Sequence, residues 1–225
     1  LLPALIFVFV RINVVQLAFA MVFLSKWRMF AVKPRHWPAN VRANGIDLLV
    51  GISTVIFMMH SGTQLWQLIW ALAYGLWLIF IKPGSSVFMI SLQALIGQLA
   101  GLMALFLAFG STPIYVLVLL SWMICYAAAR HFFTSFEESL TRFLSYLWAY
   151  FAAALVWILS HWLLFYGVIS QPTLILSVLS FGLASLYYLE KQDRLTILLR
   201  RQIVFVMIAV VIIVIAFSNW GDKTI

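Results

Sequence analysis

The stretch SVFMISLQALIGQLAGLMALFLAF, Ser86 to Phe109, holds no charged residue over its 24 positions. As an α-helix it would run about 36 Å at 1.5 Å per residue, enough to cross a hydrocarbon layer about 30 Å thick. It is apolar on every side, which excludes the half-wet helix of a soluble domain. Small residues recur along it at spacings of three and four: Ala94, Gly97, Gly101, Ala104 and Ala108. Such a stripe lets another backbone approach closely, whether from a helix of this chain or from a second subunit. Gln93 and Gln98 flank the stripe, and amides at that depth bond across to neighbouring helices.

Outward from this segment the same kind of run repeats, at about 1 to 24, 46 to 60, 65 to 81, 113 to 129, 141 to 166, 172 to 189 and 198 to 218. The fold class predicted is all-α, a polytopic transmembrane helical bundle of about eight spanning helices, because helices satisfy their own backbone in lipid. Membrane strands would alternate in segments of about ten residues, and these runs do not. With 65% hydrophobic and only 9% charged residues and a mean hydropathy of +1.09, a water-soluble fold is excluded. No tandem repeat or Gly/Ser linker divides the chain, so residues 1–225 read as a single integral membrane domain.

The net charge of +8 is distributed as membrane topology rather than as a nucleic-acid surface. The odd-numbered connections hold Lys26, Arg28, Lys33, Arg35 and Arg42, then Lys82, then Arg130 and Arg142, then Lys191, Arg194, Arg200 and Arg201. The even ones hold none, and Lys223 stands alone at the opposite face. Retention of basic flanks in the cytoplasm puts the odd loops inside and both termini outside, in a bacterial-type plasma (inner) membrane. Trp27 and Trp37 then fall at the inner boundary, and Trp66, Trp162 and Trp220 at the outer one. The basic loops attract anionic lipids on the cytoplasmic face, and no nucleic-acid partner is expected.

Arg11 is the only charge this topology places near mid-membrane, about 15 Å along the first helix. It should face a cavity, a partner or an anion, with Gln16 and Asn13 close in sequence although not on one narrow helical face. Two helices carry aromatic stripes. One is Trp66, Trp70, Tyr74 and Trp77; the other is Phe143, Leu147, Tyr150, Ala154, Trp157 and His161. Either could line a ligand pocket, though core packing or a lipid-facing surface is the ordinary use of such spacing. His60 and His161 could meet as haem ligands, or bind copper with Met58 and Met59, but local hydrogen bonding is the commoner fate, and no metal or cofactor is expected. Cys125 is the lone cysteine, so no disulfide framework exists.

His131, Glu137 and Glu138 share the fifth connection, where a carboxylate pair beside a histidine could support acid–base chemistry at a lipid headgroup. Capping of the next helix explains the acids equally well. No acid lies deep in a helix and no lysine lies mid-helix, which argues against a cation antiporter and excludes a retinal Schiff base. No catalytic residue is assigned. The leading expectation is a non-catalytic membrane component that packs against protein subunits in a transport, translocation or envelope assembly. The alternatives are a self-contained transporter of a small or lipid-linked anion, with Arg11 and Gln16 or Gln98 in its path, and an inner-leaflet enzyme using His131, Glu137 and Glu138.

Overall fold

The computed structural model describes residues 1–81, 86–162, 164–166 and 168–219; Lys82, Trp220 and Lys223, counted above as landmarks, lie outside them. Nine α-helices are found among the described residues. Seven helical segments are long and apolar enough to cross a membrane. They contain α3 (Trp37–Met59), α4 (Gln64–Leu76), α5 (Val87–Phe109), α6 (Ile114–Thr134), α7 (Thr141–Leu159), α8 (Gln171–Lys191) and α9 (Ile197–Phe217). Hydroxyls set several starts: Ser86 caps α5 at Met89 N–H (3.2 Å), and Thr196 caps α9 at Leu199 N–H (3.2 Å).

The first apolar run differs from the single crossing expected. It forms two ten-residue helices, α1 (Leu2–Arg11) and α2 (Val15–Leu24), separated at Ile12, Asn13 and Val14. Asn13 takes φ 60°, the left-handed region that asparagine tolerates. Asn13 N–H bonds the Val10 carbonyl and Val14 N–H bonds the Phe9 carbonyl, which together satisfy the last carbonyls of α1 as a Schellman motif. The chain then doubles back. Pro3, at the start of α1, lies 3.9 Å from where a Cβ on Gly75 would stand, and Val22, near the end of α2, packs on Gly51 beside the Tyr74 hydroxyl. Both ends of the pair therefore sit at the level of Tyr74 and Gly75, so Leu1 begins at the same end of the bundle as Lys26.

α5 joins two packed regions. On one side, Ile6, Val10, Ala18, Val22, Ile46, Val50, Met58, Ala71 and Tyr74 form a core shared by α1 to α4. On the other, Leu102, Leu105 and Phe106 meet Leu117, Cys125, Ala152, Val156 and Leu176 from α6, α7 and α8. The small-residue stripe makes the first contact possible. A Cβ on Gly97 would stand 2.7 Å from Ile46 Cγ2, and one on Gly101 would stand 2.9 Å from both Leu49 methyls. Ala94 and Ala104 are buried on the same helix, and Ala108 packs beside Ile56, Phe57 and Ala104. Within this chain the stripe thus seats α3 against α5, where close van der Waals packing replaces the hydrophobic drive that lipid does not supply.

Three further differences concern ends. α3 begins at Trp37 rather than near 46, which puts Arg42 on the helix and makes Asp47, expected at a helix end, its eleventh residue. α6 runs on to Thr134, carrying Arg130 and His131 on the helix rather than in a loop. α7 stops at Leu159, and Phe165–Tyr166 pairs antiparallel with Ile169–Ser170 before α8 begins. α9 rests on α8 at Gly182, where the Met207 thioether fills the space a Cβ would need.

Candidate functional site

The two glutamines of α5 are five residues apart, about 140° around the helix, so they serve different neighbours. Gln98 is buried. Its Oε1 accepts from Trp148 Nε1 of α7 at 3.1 Å and from Ser180 Oγ of α8 at 2.9 Å, and its Nε2 donates to the Leu176 carbonyl at 3.4 Å. Both lone pairs of the amide oxygen are used, so this side chain ties three helices together.

Beside this knot lies a cavity of about 240 Å³, bordered by Ala94, Gln98, Ala129, Trp148, Ala184 and Tyr187 among others. Alanines on α5, α6 and α8 leave the space, and almost all of its wall is carbon. Tyr187 links it to a charged cluster. Its hydroxyl donates to Glu138 Oε2, and Lys191 Nζ lies 2.9 Å from the same oxygen and 5.4 Å from the centre of the Tyr187 ring. The Tyr187 hydrogen bond, followed by that from Lys191, holds the Glu138 carboxyl below its usual range. Phe132, Phe133 and Phe136 pack edge-on to Tyr187 and fix its ring.

A second polar cluster sits at the same end of the bundle. Lys26, only 8% exposed, places Nζ 2.5 Å from Asp47 Oδ2 and 3.2 Å from Asn44 Oδ1. Trp77 Nε1 donates to Asp47 Oδ1 at 3.3 Å, from the π-helical turn Trp77–Ile81 that follows α4. Gln93 Nε2 donates to the Ile81 carbonyl at 2.6 Å, which leaves its Oε1 to accept from His131 Nε2 at 3.2 Å. These bonds, with those of Glu138, gather the connections around Lys26, Arg130 and Lys191 at one end of the molecule.

Arg11 ends α1 at the tip of the α1–α2 turn and is exposed, rather than sitting halfway along a spanning helix. Gln16 is exposed in the first turn of α2. Trp157 lies on a face of α7 along which Phe143, Leu147, Tyr150 and Ala154 are exposed as well, and His161 is exposed in the turn just past the end of α7. His60 Nδ1 donates to the Ile56 carbonyl at 2.9 Å and His161 Nδ1 to the Trp157 carbonyl at 2.7 Å, each within its own turn. His131 and Glu138 are turned to different partners, Gln93 for one and Tyr187 with Lys191 for the other. No family model, curated protein or solved structure matches the chain.

Sequence reasoning missed the Lys26–Asp47 pair, having counted Lys26 as a loop charge. The available signal was Asp47 itself, an acid at the edge of an apolar run, since a carboxylate there needs a cation or several donors. It also missed the role of Tyr187, one of two adjacent tyrosines in α8 whose ordinary use is interfacial anchoring.

Proposed function

We propose that this membrane-spanning bundle is a binding component that seats an apolar chain, acyl or isoprenoid, in the cavity between α5, α6, α7 and α8. The observation that carries the reading is the carbon-walled cavity joined through Tyr187 to the Glu138–Lys191 pair. A cavity of about 240 Å³ lies just under the range of about 300–1,000 Å³ typical of small-molecule sites, and suits part of a flexible chain better than a compact polar solute. Because Gln98, Trp148 and Ser180 satisfy one another, the wall offers little to a polar group. The charged cluster marks where the polar end of an amphiphile would stop. Such a component is nearest to the transporter alternative raised from sequence, in its lipid-linked form, but does not place Arg11 in the path. The small-residue stripe, which argued for a partner subunit, is occupied by α3.

Extraction in mild detergent followed by mass spectrometry tests the reading. The wild-type chain should carry a defined lipid, and Ala129→Leu with Ala184→Phe should lose it while keeping the same helical content and elution volume. Retention of the same lipid in the filled variant would overturn the cavity as its site. A stoichiometric protein in place of a lipid would return the subunit reading.

A further inference from the structure

A second cavity, distinct from that of the proposed chain site, opens at the membrane boundary where α6 gives way to α7. It is about 620 Å³ and is bordered by Arg130, Thr134, Glu137, Glu138, Thr141 and Arg142, with Leu140 and Phe143 at its edge. Two cations from two helices, Arg130 of α6 and Arg142 of α7, border it. Arg130 is positioned by a 2.8 Å bond from Nη1 to the Tyr126 hydroxyl and lies 5.8 Å over the Tyr126 ring, which leaves other guanidinium N–H groups free to bind. Among the described residues neither Arg130 nor Arg142 has a carboxylate within ion-pair distance, and the ion pair of Glu138 is with Lys191.

The backbone adds donors. The cap position of α7 is Leu140, which supplies no side-chain oxygen, and no acid occupies the first turn. Among the described residues the N–H groups of Arg142 and Phe143 have no acceptor. Guanidinium groups beside the N-terminal end of a helix favour a phosphate. Glu137 and Glu138 share the cavity; Glu138 is already bound by Tyr187 and Lys191, whereas Glu137 carries no ion pair among the described residues, so a purely anionic occupant would meet an unneutralised carboxylate. An occupant with an ammonium next to its phosphate would not. The edge residues Leu140 and Phe143 are 57% and 62% exposed, as a surface facing the start of an acyl chain would be.

We infer that this cavity binds the headgroup of an amine-bearing, zwitterionic phospholipid, its phosphate on Arg130 and Arg142 and its ammonium on Glu137. The location at the ends of two spans supports a lipid rather than a free phosphate ester. The test is native mass spectrometry of the delipidated protein titrated with phosphatidylethanolamine, phosphatidylglycerol or soluble O-phosphoethanolamine. Phosphatidylethanolamine should bind best, and Arg130→Gln with Arg142→Gln should weaken it about tenfold or more. Glu137→Gln should remove the preference over phosphatidylglycerol. Arg28→Gln with Arg35→Gln, exposed residues in the first basic connection, should leave binding unchanged. An unaffected Arg130/Arg142 variant, an equal loss in the Arg28/Arg35 variant, or a wild-type preference for phosphatidylglycerol would each overturn the inference, and equal binding of O-phosphoethanolamine would overturn the lipid source. The Ala129/Ala184 variant should keep this binding, so failure of the chain site and of the headgroup site are separable.

Discussion

Lys26 and Asp47 are 21 residues apart in sequence and 2.5 Å apart in space, and Lys26 is almost fully covered. A buried pair is costly to form and more costly to halve, because the survivor keeps its desolvation without its counter-charge. Asp47→Ala should destabilise the protein by about 3–5 kcal/mol in detergent unfolding, whereas Lys26→Met with Asp47→Leu should cost less, its remaining loss including the bond from Trp77 Nε1 to Asp47. Equal losses in the single and double variants would show that the pair does not behave as a unit. Glu138 gives a pH-dependent counterpart. Its carboxyl is held below the ordinary value of 4.5, so the charged form is favoured by folding. That contribution is present above the unfolded value and is lost as pH falls through the lower folded value. Stability followed from about pH 7 to about pH 3 should show a decline at the acid end that Glu138→Gln flattens; an unchanged profile in the variant would assign the decline to other groups.

At the scale of elements, the α1–α2 turn depends on one backbone conformation. Asn13 at φ 60° can be replaced by Gly without strain, whereas a β-branched residue there meets its own carbonyl. Asn13→Gly should leave the melting temperature nearly unchanged, and Asn13→Val should cost about 1–2 kcal/mol. Equal stability of the two variants would argue for a straight helix through this run. The turn was not legible because Leu1–Leu24 contains no glycine, its one proline is Pro3, and a single asparagine in an apolar run reads as a tolerated helix residue. By contrast α5 was legible in both existence and use: a long uncharged run made the helix, and Gly97 and Gly101 announced a close neighbour. Sequence could not say that the neighbour was α3, since Ile46 and Leu49 look like any other apolar pair. The end of α7 was hidden for a similar reason: Phe165 and Tyr166 continue the hydrophobic run although their backbone pairs as a strand. Of the candidate site, Gln98 was visible as an amide in lipid, while Tyr187 became informative only once Glu138, 49 residues earlier, was seen to receive its hydrogen bond.

For the molecule as a whole, the hydrogen-bonded chain from Lys26 through Asp47, Trp77, Ile81, Gln93 and His131 places four helix ends together, and Glu138 with Lys191 adds two more. The basic connections converge on this end, which retention of positive charge would keep in the cytoplasm. Single cysteines resolve the arrangement, because native Cys125 is fully buried and should not compete for a membrane-impermeant reagent. In intact cells Gly62→Cys and Ser111→Cys, both in connections at the opposite end, should label, and Arg28→Cys and Arg194→Cys should label only after permeabilisation. Leu1→Cys is the informative position. If α1 and α2 double back, it must behave like Arg28→Cys, since Pro3 lies by Gly75, two residues from the Trp77 that binds the partner of Lys26. If the first run crosses as one helix, Leu1→Cys must instead behave like Ser111→Cys. The charge rule alone cannot separate these cases, because Lys26 to Arg42 stay on the same side in both. The ten-residue lengths of α1 and α2 can: each extends only about 15 Å, half of what a crossing needs, so a pair entering and leaving by one face is the arrangement their length permits.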